Sequence, residues 1–130
     1  MCTAFTVGGR DVTYIPDGWR TVTLRIFVDD AKGLVDFIRH VFDATGEFRT
    51  ERPTVLTIGD SMIMISGTDV RAAMSAFLYV YVKDADATYR RAVAAGARII
   101  EEPSVTPHGD RRCMIEDAWG NTWQIATHFK

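Results

Sequence analysis

The chain has 130 residues, 47% of them apolar and 25% charged, with a net charge of −2 at neutral pH. That length buries a core without help from a metal or disulfides, and the balance is that of an ordinary globular domain. The paired arginines Arg90-Arg91 and Arg111-Arg112 make no basic stripe, so nucleic acid and anionic membranes are excluded as partners. No apolar run reaches the roughly 18 residues of a membrane span.

Cys2 and Cys113 have no spacing that suggests a zinc site or a disulfide framework. Two unpaired thiols fit a reducing compartment. The first residues lack the charged-then-apolar order of a signal peptide, so the expected location is cytoplasmic.

In chain order, residues 1–20 read as an irregular arm, with Gly8-Gly9 and Pro16-Asp17-Gly18 as turn signals and Tyr14 and Trp19 as its anchors. Residues 21–28 alternate, predicting a strand with Val22, Leu24, Ile26 and Val28 on one face and Thr21, Thr23, Arg25 and Phe27 on the other. Asp30 is placed to cap a helix over 31–42, where Leu34, Phe37, Ile38 and Val41 recur at helical spacing. Strands are expected near 46–51, 54–59 and 61–66, the last two joined by a Gly59-Asp60 hairpin. Residues 67–75 are a polar linker.

The pattern then restarts. Residues 77–82 alternate, with Leu78, Val80 and Val82 opposite Phe77, Tyr79 and Tyr81. Asp84 caps a second helix carrying Ala85, Tyr89, Ala92 and Val93, and Gly96 ends it. Strands near 98–102, 111–116 and 121–128 complete the unit. Glu116 and Asp117 read as a solvated turn. Val28-Asp29-Asp30-Ala31 matches Val82-Lys83-Asp84-Ala85 at an offset of 54, the mark of a duplicated βαβββ module. The fold class is therefore α+β, one domain over 1–130: an arm (1–20) and paired modules (21–66 and 76–128) around a half-barrel cleft.

Two such modules resemble the vicinal oxygen chelate superfamily of glyoxalases, bleomycin-resistance proteins and extradiol dioxygenases. Pro16-Asp17-Gly18-Trp19, Gly59-Asp60-Ser61 with Met64, Gly109-Asp110-Arg111 and Trp119-Gly120-Asn121-Thr122-Trp123 are similar to its PhnB-like branch. The resemblance implies a divalent metal held by His, Glu or Gln from four strands. The corresponding positions here are Thr23, Ser66, Phe77 and Gln124, and only Gln124 has ligand capacity. No metal and no other cofactor is expected. The resemblance also implies a homodimer.

The period-two reading turns Thr23, Arg25, Phe27, Met64, Ser66, Phe77, Tyr79, Tyr81 and Gln124 toward the cleft, with His128 on the face of Gln124. His108 overhangs from the preceding loop, and His40 is a surface residue of the first helix. Aromatic and thioether groups with a few polar ones suit a small apolar or aromatic molecule, with Arg25 able to hold an anionic group. The leading expectation is a small-molecule-binding protein with a degenerate metal site, in a sequestration, resistance or biosynthetic accessory role. The alternative is a lyase, isomerase or dioxygenase of the same superfamily using a displaced metal or Tyr/Arg acid–base chemistry. A third is a structural homodimer whose cleft is filled.

Overall fold

The computed structural model describes residues 4–69 and 71–129, the side chains of 4–7 and 10–13 excepted. Cys2 lies outside the described residues. The arm is irregular over 14–20 but not before: β1 (Ala4–Val7) and β2 (Arg10–Thr13) pair antiparallel, because Gly8 and Gly9 both take positive φ and close a two-residue turn. Tyr14 is 62% exposed and anchors nothing. Trp19 is half-buried.

The first module contains β3 (Leu24–Phe27), α1 (Ala31–Phe42), β4 (Thr54–Ile58) and β5 (Ser61–Ser66), in a sheet of order β3-β5-β4. The strand expected over 21–28 is shorter than its alternation. Val22 is 82% exposed, because β5 offers pairing partners only from Leu24 onward. Residues 46–51 form no strand. Their segment lies beside β4 through one bridge, in which Thr45 N–H donates to Thr57 (3.0 Å) and Thr57 N–H to Thr45 (2.8 Å). Gly46 then takes φ +134° with its Cα against Val55 O, a conformation and proximity that a Cβ would forbid.

The second module contains β6 (Phe77–Tyr81), α2 (Ala85–Ala94), β7 (Arg98–Val105), β8 (Asp110–Glu116) and β9 (Thr122–His128), in a sheet of order β6-β9-β8-β7. β7 extends past the expected 102. It passes through Pro103 with two shifts of register against β8, as suits an exposed edge strand. Both helices have the predicted caps: Asp30 accepts from Gly33 N–H and Asp84 from Ala87 N–H, each at 3.1 Å. Arg91 on α2 donates to Val41 O at the end of α1 (3.1 and 2.9 Å), placing a cation on that helix's free carbonyls.

The aliphatic faces go inward, as the alternation requires. Ile26, Leu56, Ile63 and Ile65 meet Leu34, Val35, Ile38 and Val41 of α1, and Cys113, Ile115, Trp123 and Ile125 are fully buried in the second module. Burial pushes the Cys113 thiol up to about 11, so it is an inert core group. Phe42 of α1 stacks on Trp123 of β9 with centroids 4.7 Å apart, joining the two halves.

The turn between β8 and β9 departs from its expected solvated state. Asp117 is 5% exposed and accepts from Trp119 N, Asn121 N and Trp123 Nε1 (2.9 Å each) and from Asn121 Nδ2. Asn121 Oδ1 in turn accepts from Ala76 N (2.9 Å), fastening the turn to the start of β6. Replacing Asp117 by Ala strands several buried donors, each costing about 1–3 kcal/mol. Asp117→Ala is therefore expected to lose about 3 kcal/mol or more in urea unfolding, with an unchanged slope. A loss below about 1 kcal/mol would mean that solvent replaces the carboxylate.

Candidate functional site

The outward faces of the two sheets carry the polar and aromatic groups. On the first, Arg25, Phe27, Met64 and Ser66 share a face because β3 pairs β5 in parallel with Arg25 opposite Met64 and Phe27 opposite Ser66. Arg25 Nη2 donates to Ser66 Oγ (2.9 Å), and its guanidinium lies 4.8 Å from the centroid of the Phe27 ring. Among the described residues Arg25 makes no ion pair. A pocket of about 420 Å³ opens over this face, lined by Arg25, Phe27 and Ser66 together with the 49–53 segment and residues 67, 69 and 71. Thr23 is half-buried in the extended residues before β3 and does not line it.

On the second surface β6, β9 and β8 are in register, so Tyr79 stands opposite Gln124, Gln124 opposite Met114, and His128 opposite Asp110. Phe77 is 66% exposed and Tyr81 60%, an unusually apolar surface for an isolated sheet face. Tyr79 and Tyr81 have centroids 5.3 Å apart, and Arg112 lies 5.8 Å from the Tyr79 ring.

The chemical centre of this face is a residue that the alternation argument did not select. Asp110 is fully buried, yet four side chains converge on it. Tyr79 OH and Tyr81 OH (3.0 Å) donate to Oδ2, where His108 Nε2 also sits at 3.1 Å, and His128 Nδ1 lies 2.7 Å from Oδ1. The Tyr79 hydrogen bond, and then those of His128, Tyr81 and His108, hold the Asp110 carboxyl well below the usual carboxylate range although burial opposes this. Tyr79 is raised by burial and by donating to Asp110, and Tyr81 chiefly by donating to Asp110. The cluster is an ionised carboxylate that fixes two phenols and two imidazoles, and both histidine side chains remain more than half exposed.

His128 is held at the end of its strand by the contact with Asp110. His40 is exposed on α1. Asp110 lay in plain view within Gly109-Asp110-Arg111, and the signal that could have found it is its position: it pairs with His128, two steps beyond Gln124 on the same face.

A divalent metal at the superfamily's usual position does not fit. By strand pairing Ser66 stands level with Phe27, whereas Gln124 stands level with Tyr79, the counterpart of Arg25 at the offset of 54. The four positions therefore do not meet at one level, and Thr, Ser, Phe and one amide are not a donor set for a first-row cation. Among the described residues no group of three His, Cys, Asp or Glu is arranged to hold a metal ion.

Because its folded carboxyl is more acidic than its unfolded one, Asp110 contributes stability above the unfolded value of about 3.9, lost as pH falls through the lower folded value. Asp110→Asn is therefore expected to lower the urea midpoint at pH 7, with the gap from wild type narrowing steadily below pH of about 4. A gap of equal size at low pH would show that ionisation of Asp110 is not what stabilises the face.

The sequence profile described as "Glyoxalase/Bleomycin resistance protein/Dioxygenase superfamily" matches residues 20–125. Among solved structures, TioX from Micromonospora sp. ML1 superposes with a TM-score of 0.73 at 23% identity, covering 85% of this chain and 99% of that one. A glyoxalase/bleomycin resistance protein/dioxygenase family enzyme from Burkholderia phytofirmans PsJN gives 0.69 at 20% identity, covering 82% and 97%. The fosfomycin resistance protein FosX from Mesorhizobium loti gives 0.65 at 18%, covering 85% and 92%. No curated protein matches the sequence. At these identities the structures speak for the fold alone, whereas the profile spans nearly the whole chain: this protein belongs to the glyoxalase/bleomycin resistance protein/dioxygenase superfamily.

Proposed function

We propose that this chain is a metal-independent binding protein for a small organic molecule, a single domain that sequesters its ligand or presents it to other enzymes. The observation that carries this is the pocket of about 420 Å³ over the first sheet, in which Phe27 offers an aromatic wall beside Arg25 and Ser66. Its volume lies within the range of small-molecule sites. The unsuitable donor set at Thr23, Ser66, Phe77 and Gln124 argues for binding without the superfamily's metal chemistry. A resistance role is in keeping with the name of the fosfomycin resistance neighbour. The Pro16–Trp19 and Trp119–Trp123 motifs favour the PhnB-like branch, and the buried thiol of Cys113 is compatible with a cytoplasmic setting.

A second copy of the chain is the partner we favour for the second sheet, whose outward face exposes Phe77 and Tyr81. A homodimer is expected by light scattering at micromolar concentration, and Phe77→Glu is expected to shift it toward monomer. A monomeric wild type would remove this part of the proposal.

A second reading, an enzyme working by acid–base chemistry, is favoured by the Asp110 cluster, where a buried carboxylate orients His108 and His128 beside two phenols. A hydrolase, lyase or isomerase reaction of a bound ligand would then depend on these side chains.

Two measurements test the main proposal. Plasma mass spectrometry of protein purified without chelator or metal-affinity tag is expected to find far less than one metal per chain, and about one per chain would overturn metal independence. In ligand-observed NMR, small aromatic compounds are expected to bind, with Phe27→Ala weakening them about tenfold or more. Undiminished binding by that variant would displace the site from the first sheet.

A further inference from the structure

We infer that the pocket over the first sheet is built for an organic anion, a carboxylate or phosphonate carried on a small apolar body. This rests on the small-molecule reading above and names the ligand class for that site.

Four arginines from three separate segments converge on the pocket. Arg25 comes from β3, Arg49 and Arg52 from the loop before β4, and Arg71 from the segment after β5. Glu51 and Asp69 are the only carboxylates lining it, so two positive charges stand in excess there, on a chain whose net charge is −2. Charge of this sign gathered against the overall balance attracts an anion.

The arginines are available. Among the described residues the guanidinium groups of Arg49, Arg52 and Arg71 make no hydrogen bond or ion pair, and Glu51 and Asp69 take none of them as partners. Elsewhere arginines near carboxylates are engaged: Arg98 with Glu116 at 2.9 Å and Arg111 with Asp86 at 3.2 Å. Arg25 spends one Nη2 donor on Ser66 and rests over Phe27, which orients it and leaves most of its five N–H donors unspent.

The loop that carries Arg49 and Arg52 is held in place. Thr54 is fully buried, and its Oγ1 accepts from Arg49 N–H at 2.8 Å. Phe27 and Pro53 supply apolar surface between the charges. Planar guanidinium forks pair with carboxylate or phosphonate oxygens in bidentate geometry, and the apolar floor takes the rest of the molecule.

Benzoate, phenylphosphonate and neutral benzamide separate the alternatives, with binding measured by calorimetry at about 20 mM and about 200 mM salt. Both acids are expected to bind at least about tenfold more tightly than benzamide at low salt, with the preference shrinking at high salt. The double variant Arg49→Gln with Arg52→Gln, and separately Arg71→Glu, are expected to abolish the preference while the melting temperature stays near wild type. Equal affinity for acid and amide in wild type overturns the anion assignment and leaves the small-molecule reading standing. A preference for acids that survives both variants places the anion elsewhere and also overturns it. If neither these compounds nor any in the aromatic panel bind, the small-molecule reading itself falls.

Discussion

The Asp117 carboxylate is the constraint on which the rest of this structure depends. It is buried at a turn between two strands, where water cannot solvate its charge, so it must be satisfied by protein donors. Those donors belong to Trp119, Asn121 and Trp123, and meeting them dictates where each residue goes. Trp123 is drawn into the core against Phe42 of the first helix. Trp119 is turned outward over the start of that helix, its ring edge-on to Phe37 and its Nε1 on the Asp30 carboxylate. Gly33 permits this approach, since a Cβ there would lie 2.7 Å from the Trp119 ring. One carboxylate thus connects a hairpin turn, a cross-module aromatic pair and the cap of a helix from the other module.

Each sheet has one face given to the core and one left for chemistry, and the two outward faces differ in kind. The first gathers arginines around an apolar floor, under a loop that replaces what would have been a fourth strand. The bridge to β4 lies just before this loop, at Thr45, and the loop goes on to place residues 49–53 along the pocket while Phe48 packs against the core. The second face is flat and aromatic, with a buried carboxylate at one end. Asp110 tolerates burial because four donors surround it, the same solution that Asp117 reaches at the opposite end of β8. A strand bounded by two satisfied buried carboxylates has its register fixed at both ends.

Much of this was legible from the order of residues. The repeat at an offset of 54, the capping aspartates Asp30 and Asp84, the apolar stripe Leu34-Phe37-Ile38-Val41 and the alternation in 77–82 are local patterns, and local patterns suffice for helices, strands and their faces. They also suffice for the fold class. Period-two reasoning overran at residues 21–23, where alternation continues but no partner strand does. It failed at 46–51, where the kink at Gly46 leaves only one bridge of the expected ladder.

Only the tertiary structure decided which charges are solvated and which are buried. Asp110, Glu116 and Asp117 look alike in sequence, yet two of them are core groups: strands distant in the chain bring Tyr79, Tyr81 and His128 to Asp110, and closure of its own turn brings Trp119, Asn121 and Trp123 to Asp117. The same holds for the arginines. Arg25, Arg49, Arg52 and Arg71 span 47 positions with no motif, and β3–β5 pairing with the loop before β4 gathers them around one pocket. Residue types and their periods are properties of the chain. Proximity across a sheet and access to water are properties of the fold, and those are what brought these residues together.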